Sequence, residues 1–311
     1  MRLRFVLVHS MSVATSVEII CKGLQFPEGP VVMGDDSIIL VEIARHTLTR
    51  VVNGRAEVIA ELGGGPNGAA IGPDGAMYVC NNGGRFKFAR FFGRRFPGRR
   101  PATHKGGMIQ RVDLKTGQFE TIYEACDGRR LNAPNDLVFD QQGGFWFTDH
   151  GGDSHTGGLF YAKADGSTIK CWKDHQVSPN GVGLSPDERT VFFSDTVPRK
   201  VWALELAAPG VLADTPSRPN GLLVELPKRN MLDSLAVEAD GRVCVATLMH
   251  GGITACALDG TFQHYAFPDI MTTNIAFGGD DMRDAYLTLS SSGKLGKARW
   301  PRPGLRLNFQ T

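Results

Sequence analysis

Short apolar runs, each followed by a polar turn and a second apolar run, recur along almost the whole chain. Leu137-Val138-Phe139 with 145–147 is one such pair, and Leu235-Ala236-Val237 with 243–245 is another. Runs this short, bounded by Gly, Asp and Pro, read as strands joined by tight turns. Each pair is led by a polar residue. The leaders are Glu28 in Phe26-Pro27-Glu28-Gly29-Pro30, Asn67 in Pro66-Asn67-Gly68 and Asn135 in Pro134-Asn135-Asp136. They continue with Asn180 in Pro179-Asn180-Gly181, Asp233 in Leu232-Asp233-Ser234 and Asn274 in Thr273-Asn274-Ile275. Seven residues beyond them stand Asp35, Asp74, Gln142, Asp187, Asp240 and Asp281. Six copies at one offset define a repeat.

The leaders are 39, 68, 45, 53 and 41 residues apart. A four-stranded propeller blade takes about 40–45 residues, so four gaps hold one blade each and the gap of 68 carries an insertion. Further runs, such as 47–52 and 56–59 in the first unit, supply outer strands; in the fourth only 200–204 stands out. The expected fold is all-β, a six-bladed β-propeller forming one domain over 17–311. Residues 1–16 are expected as a flexible lead and 85–105 as a rim loop or lid. In a propeller the innermost strand of each blade lines the central channel, so the six leaders converge on the axis.

Composition agrees with this. Thirty-eight glycines and 17 prolines suit many tight turns. A chain of 311 residues buries roughly 75% of its unfolded surface and needs no disulfides for stability. A formal charge of +2 with 21% charged residues excludes a strongly charged surface over the whole molecule. The six cysteines show no CxxC pair, and several lie in strand runs, which points to core thiols in a reducing compartment. The apolar run at 5–8 is too short for a secretory signal, and Met11 is a second candidate start. No stretch is long enough to span a membrane as a helix. The expectation is a cytoplasmic monomer or small homo-oligomer without membrane or nucleic-acid partners.

The leaders comprise two carboxylates and four amides. Pro-Asn-Gly also reads as ordinary turn chemistry, which accounts for Asn67 as well as the axial reading does. Glu28 suits a turn poorly. Uncompensated carboxylates in a narrow channel are costly without a cation. Oxygen ligands alone suit a hard divalent ion. Ca²⁺ is the first expectation, with Mg²⁺, Mn²⁺, Zn²⁺ or iron as alternatives. His150 follows Phe147-Thr148-Asp149 and is expected at the pocket mouth; its spacing to His155 is not that of a helical zinc site. No Gly-x-Ser-x-Gly elbow occurs, which argues against a serine hydrolase. The insertion 85–105 holds eight Lys or Arg, no acid and five phenylalanines. Such a mixture can bind nucleic acid, but the patch is short and the chain nearly neutral, so a lid or subunit contact is the better reading. As a lid, its phenylalanines favour an apolar or aromatic substrate and its arginines a carboxylate-bearing one.

The motifs Phe26-Pro27-Glu28-Gly29-Pro30, Pro134-Asn135-Asp136-Leu137, Ser178-Pro179-Asn180-Gly181 and 273–279 together resemble the senescence marker protein / gluconolactonase / luciferin-regenerating enzyme family. The resemblance runs from about residue 20 to 295. It implies a six-bladed propeller with one axial divalent ion that hydrolyses lactones. It further implies that Glu28, Asn180 and Asp233 hold the ion, that Asn135 lies at the ion or touches substrate, and that Asp233 is the base. Asn67, His150 and Asn274 join Asn135 as candidate substrate contacts. The chain departs from the pattern at Ala133, where animal aldonolactonases carry an Arg, and at Ser234, where the motif is commonly Pro-Asp-Gly. The expected activity is that of a metal-dependent lactonase, a hydrolase of carboxylic ester bonds. The alternatives are a phosphotriesterase-type hydrolase on the same ion and a non-catalytic calcium-binding propeller that scaffolds other proteins.

Overall fold

The computed structural model describes residues 12–151, 157–215 and 217–310. Met11 and His155 lie outside them, as does most of the expected lead. Six antiparallel sheets follow one another around an axis, as the repeat predicts. Their innermost strands are Pro27–Val32, Pro66–Ile71, Pro134–Phe139, Pro179–Leu184, Met231–Val237 and Thr272–Gly278. Each is followed by a second strand built from the next apolar run, for example Ile38–Glu42 in the first blade and Gly144–Asp149 in the third. Among the described residues the only helical turn is a 3₁₀ segment at Pro219–Gly221.

The ring is closed by strands from the two ends of the chain. Glu18–Lys22 pairs antiparallel with Lys294–Arg299 and completes the sixth blade. Val13–Ala14, inside the stretch expected as a lead, runs parallel to Phe262–Ala266 at the edge of the fifth blade. The fourth blade takes its outer strand from Leu222–Glu225, which pairs with Lys200–Ala208. That strand is four residues long and follows an irregular excursion, so the apolar pattern does not reveal it. Apolar side chains between successive blades make up the core, with Trp146, Phe145, Phe147 and Phe193 buried. All six cysteines are free and all but Cys171 are buried.

The inner strands share an irregularity that explains their motifs. In every one the pairing with the second strand slips beside the leader, between Glu28 and Val31 in the first blade and between Leu232 and Leu235 in the fifth. A β-bulge re-aims side chains and bends the strand, so each leader turns toward the axis and out of the alternating pattern. The glycines after the leaders answer to crowding. Gly29 has φ +50°, and a Cβ there would lie 2.8 Å from the backbone nitrogen of Ala69 in the next blade. Gly68 abuts the backbone of Asn135, and Gly181 that of Ser234 and Leu235, in the same way. These motifs are therefore strand starts packed around an axis, not surface turns.

The insertion folds as a hairpin, Phe88–Phe91 with Arg94–Pro97, that crosses the mouth of the channel. Phe88 rests on Phe26, with ring centroids 4.9 Å apart. The backbone N–H of Arg95 donates to Ser291 O at 2.8 Å, and Arg94 forms an ion pair with buried Asp269 at 3.5 Å. At the opposite end the C-terminal segment covers the channel. Gln310 donates to the carbonyls of Val32 and Phe277, and Asn308 to that of Phe139.

Candidate functional site

Five of the six leaders line one cavity of about 150 Å³ under the hairpin: Glu28, Asn67, Asn135, Asn180 and Asp233. His150 and Thr196 complete its polar surface. Its walls are Phe26, Ile43, Phe86, Pro97, Leu248 and Met271. Asn274, read from the sequence as a substrate contact, stands behind Glu28 and donates Nδ2–H to its Oε2 at 2.9 Å. The Asn274 Oδ1 accepts from the N–H of Ile275 at 2.7 Å, so the amide is committed in both directions. Its role here is to aim Glu28. The remaining sequence-read site residues lie together in the cavity.

A set of hydroxyls fixes the leaders. Ser194 Oγ accepts from Gly181 N in its own blade and donates to Asp233 O in the next, at 2.9 and 2.6 Å. Thr148 likewise accepts from Asp136 N and donates to Asn180 O. Ser290 Oγ donates to Pro27 O at 2.6 Å. Each bridge ties one inner strand to the next, and so sets the spacing of the side chains on the axis. Thr196 Oγ1 accepts from Asn180 Nδ2 at 3.2 Å, while the Asn180 Oδ1 accepts only a long contact from Ser234 Oγ at 3.5 Å.

The electrostatics of the site are those of crowded anions. Burial raises the proton affinity of Glu28, against hydrogen bonds from Thr273, Asn274 and Gly29. Asp233 is pushed well above the ordinary carboxylate range, first by burial and then by the charge of Glu28, with Asp136 adding to it. Asp136 itself, the residue after leader Asn135, is raised to about 7 by burial and Glu28. Sequence reading missed this third carboxylate, because it sits one residue off the repeat position; Asp in place of the usual Gly was the available signal. Among the described residues lining the cavity there is no Lys or Arg.

Oxygen donors, mutual repulsion between buried carboxylates and the absence of a cationic side chain in that lining are the conditions a hard divalent cation satisfies. Among the described residues no group of three or more His, Cys, Asp and Glu side chains is placed to hold a metal. Of the leaders that line the cavity, Glu28 and Asp233 bear carboxylates and Asn67, Asn135 and Asn180 bear amides.

Residues 26–291 match the family described as SMP-30/Gluconolactonase/LRE-like region. A gluconolactonase of Zymomonas mobilis is 26% identical over 229 residues, which cover 65% of this chain and 58% of that relative. The match thus spans less than two thirds of the relative's length. Among solved structures, a gluconolactonase from Xanthomonas campestris superposes with a TM-score of 0.73 at 20% identity, covering 92% of this chain and 90% of that one. A calcium-binding protein, regucalcin, from Agrobacterium tumefaciens also gives a TM-score of 0.73, at 17% identity, covering 96% of this chain and all of that one. At these identities the two structures establish a shared propeller fold.

Proposed function

The chain belongs to the SMP-30/gluconolactonase/LRE-like family, and we propose that it is a metal-dependent lactonase that opens a cyclic ester to its hydroxy acid. The observation that carries this reading is the convergence of two carboxylates, buried Glu28 and half-buried Asp233, and three amides on one cavity with apolar walls. Glu28, Asn180, Asp233 and Asn135 are the proposed holders of the ion, with Ca²⁺ first among the candidates. When bound, such an ion supplies Lewis-acid polarisation of the ester carbonyl.

The remaining chemistry falls to the chain's own groups. Asp233 takes a proton from water as its oxygen adds to the carbonyl carbon. When the acyl–oxygen bond breaks, Asp233 returns that proton to the leaving ring oxygen. Burial and the charge of Glu28 raise its proton affinity in the ion-free cavity; an ion held by both carboxylates would offset that rise and would share in activating the water. Asn67 and Asn135 offer amide groups to orient the ester, and His150 faces the same cavity.

Asp233→Asn tests the assignment. It keeps the shape of the side chain and removes its basicity, so kcat falls on the order of 10²–10⁴-fold while the circular dichroism of the propeller is unchanged. Lactone turnover within threefold of wild type overturns the role of Asp233. A parallel assay on a phosphotriester decides between the two hydrolase readings. Hydrolysis of neither substrate class favours the scaffold.

A further inference from the structure

Resting on the lactonase reading, we infer that the substrate is a neutral lactone whose small ring carries a short alkyl or aryl group, and that Phe86 and Pro97 of the hairpin arm set this specificity. The cavity divides by chemistry. Its polar groups are the five leaders with His150 and Thr196, while Phe26, Ile43, Leu248 and Met271 form the wall beneath the hairpin. Phe86, two residues before the hairpin, and Pro97, at the end of its second strand, add the remaining apolar surface. A cavity of about 150 Å³ is of the size that takes a single small ring, so a five- or six-membered lactone fits with its ester toward the axis and its substituent toward these six side chains.

Three cations of the insertion face other partners. Arg94 reaches buried Asp269 and the hydroxyl of Ser291. Arg95 donates to Gln25 Oε1 at 3.0 Å. Arg85 lies 5.7 Å over the Phe86 ring. None of the three lines the cavity, so among the described lining residues no cationic side chain stands beside the apolar wall, and a carboxylate on the substituent would lose its water there without gaining a partner. A polyol lactone fares no better, because hydroxyls pressed against the apolar wall lose their water without gaining partners. An alkyl substituent gains about fourfold in binding for each methylene buried.

The test compares four lactones, each rate divided by that lactone's own hydroxide-catalysed rate: γ-butyrolactone, its γ-propyl and γ-carboxy derivatives, and glucono-δ-lactone. The propyl compound is expected to lead the other three by at least tenfold in kcat/KM. In Phe86→Ser, the ratio of propyl to unsubstituted lactone falls at least fivefold through KM. Calorimetric binding of the non-hydrolysable γ-propyl lactam and of gluconolactam is a second arm that needs no turnover, and the propyl lactam should bind at least tenfold tighter. A glucono- or carboxylactone that equals the propyl compound overturns the inference, as does equal binding of the two lactams. No turnover of any lactone, with the propyl lactam still preferred, overturns the lactonase reading and leaves the specificity of the cavity standing.

Discussion

Glu28 shows how much of this site is made by neighbours. A buried carboxylate beside other buried carboxylates is unstable on its own, and three groups hold it: the N–H of Gly29 at 2.8 Å, the amide of Asn274 and the hydroxyl of Thr273. Removing an aiming group behind a ligand typically costs 10–100-fold in metal affinity. Asn274→Ala should therefore weaken Ca²⁺ binding, followed by calorimetry, by about that factor while the apo protein keeps its fold. Unchanged affinity would mean that Glu28 needs no such support. Sequence reading found Asn274 by its place in the repeat but not its task, since the repeat fixes where a leader stands and not which atom it faces. The hydroxyls of Thr148, Ser194 and Ser290 were likewise illegible. Thr148 and Ser194 lie on second strands and reach leaders 32 and 39 residues away, and Ser290, just past the end of another, reaches the carbonyl of Pro27 near the other end of the chain.

At the scale of elements, the bulged inner strands were legible because polar leader, apolar run and turn acid repeat at a fixed offset. The glycines that follow the leaders follow from crowding between blades. A Cβ at Gly68 would stand 2.5 Å from Asn135 O, a backbone atom with no freedom to retreat. Gly68→Ala should cost about 1–3 kcal/mol, read as a lowered urea midpoint, and should weaken ion binding because Asn135 is displaced. A second element carries a pH dependence. His264, on Phe262–Ala266, is buried, hydrogen-bonded to Thr254 and stacked 3.9 Å from His250. Burial and that neighbour lower its pKa from 6.5 to about 4. Above pH 6.5 both folded and unfolded chains hold it neutral, and no stability is lost. As pH falls from 6.5 toward 4 the unfolded chain binds the proton first, so stability declines by at most about 3 kcal/mol. Chemical denaturation of wild type and His264→Gln at pH 7 and pH 4.5 checks this. The wild type should lose more between the two, and equal losses would show that His264 does not drive the decline.

At the scale of the whole molecule, the site exists only when the ring closes. Glu28 and Asn274 come from opposite ends of the chain, and their hydrogen bond spans 246 residues. Closure depends on Glu18–Lys22 completing the last blade, a velcro-like pairing that no local pattern announces. The hairpin over the mouth is non-local too: Arg94 and Asp269 are 175 residues apart. From the sequence, the basic and aromatic insertion offered two opposite substrate preferences. The Arg94–Asp269 ion pair and the Arg95–Gln25 hydrogen bond draw both arginines to the rim, while Phe86 and Pro97 stay on the cavity.

The central claim is that the crowded axial oxygens, with the cation they fit, carry out lactone hydrolysis. The most direct measurement is lactone turnover, by pH-stat titration, of protein stripped with a chelator and then given single divalent ions. Stripping should abolish turnover and lower the melting temperature, because buried carboxylates lose the ligand that stabilises the folded state. Added Ca²⁺, or one of the other hard ions, should restore both. Full turnover by the stripped protein would contradict the account.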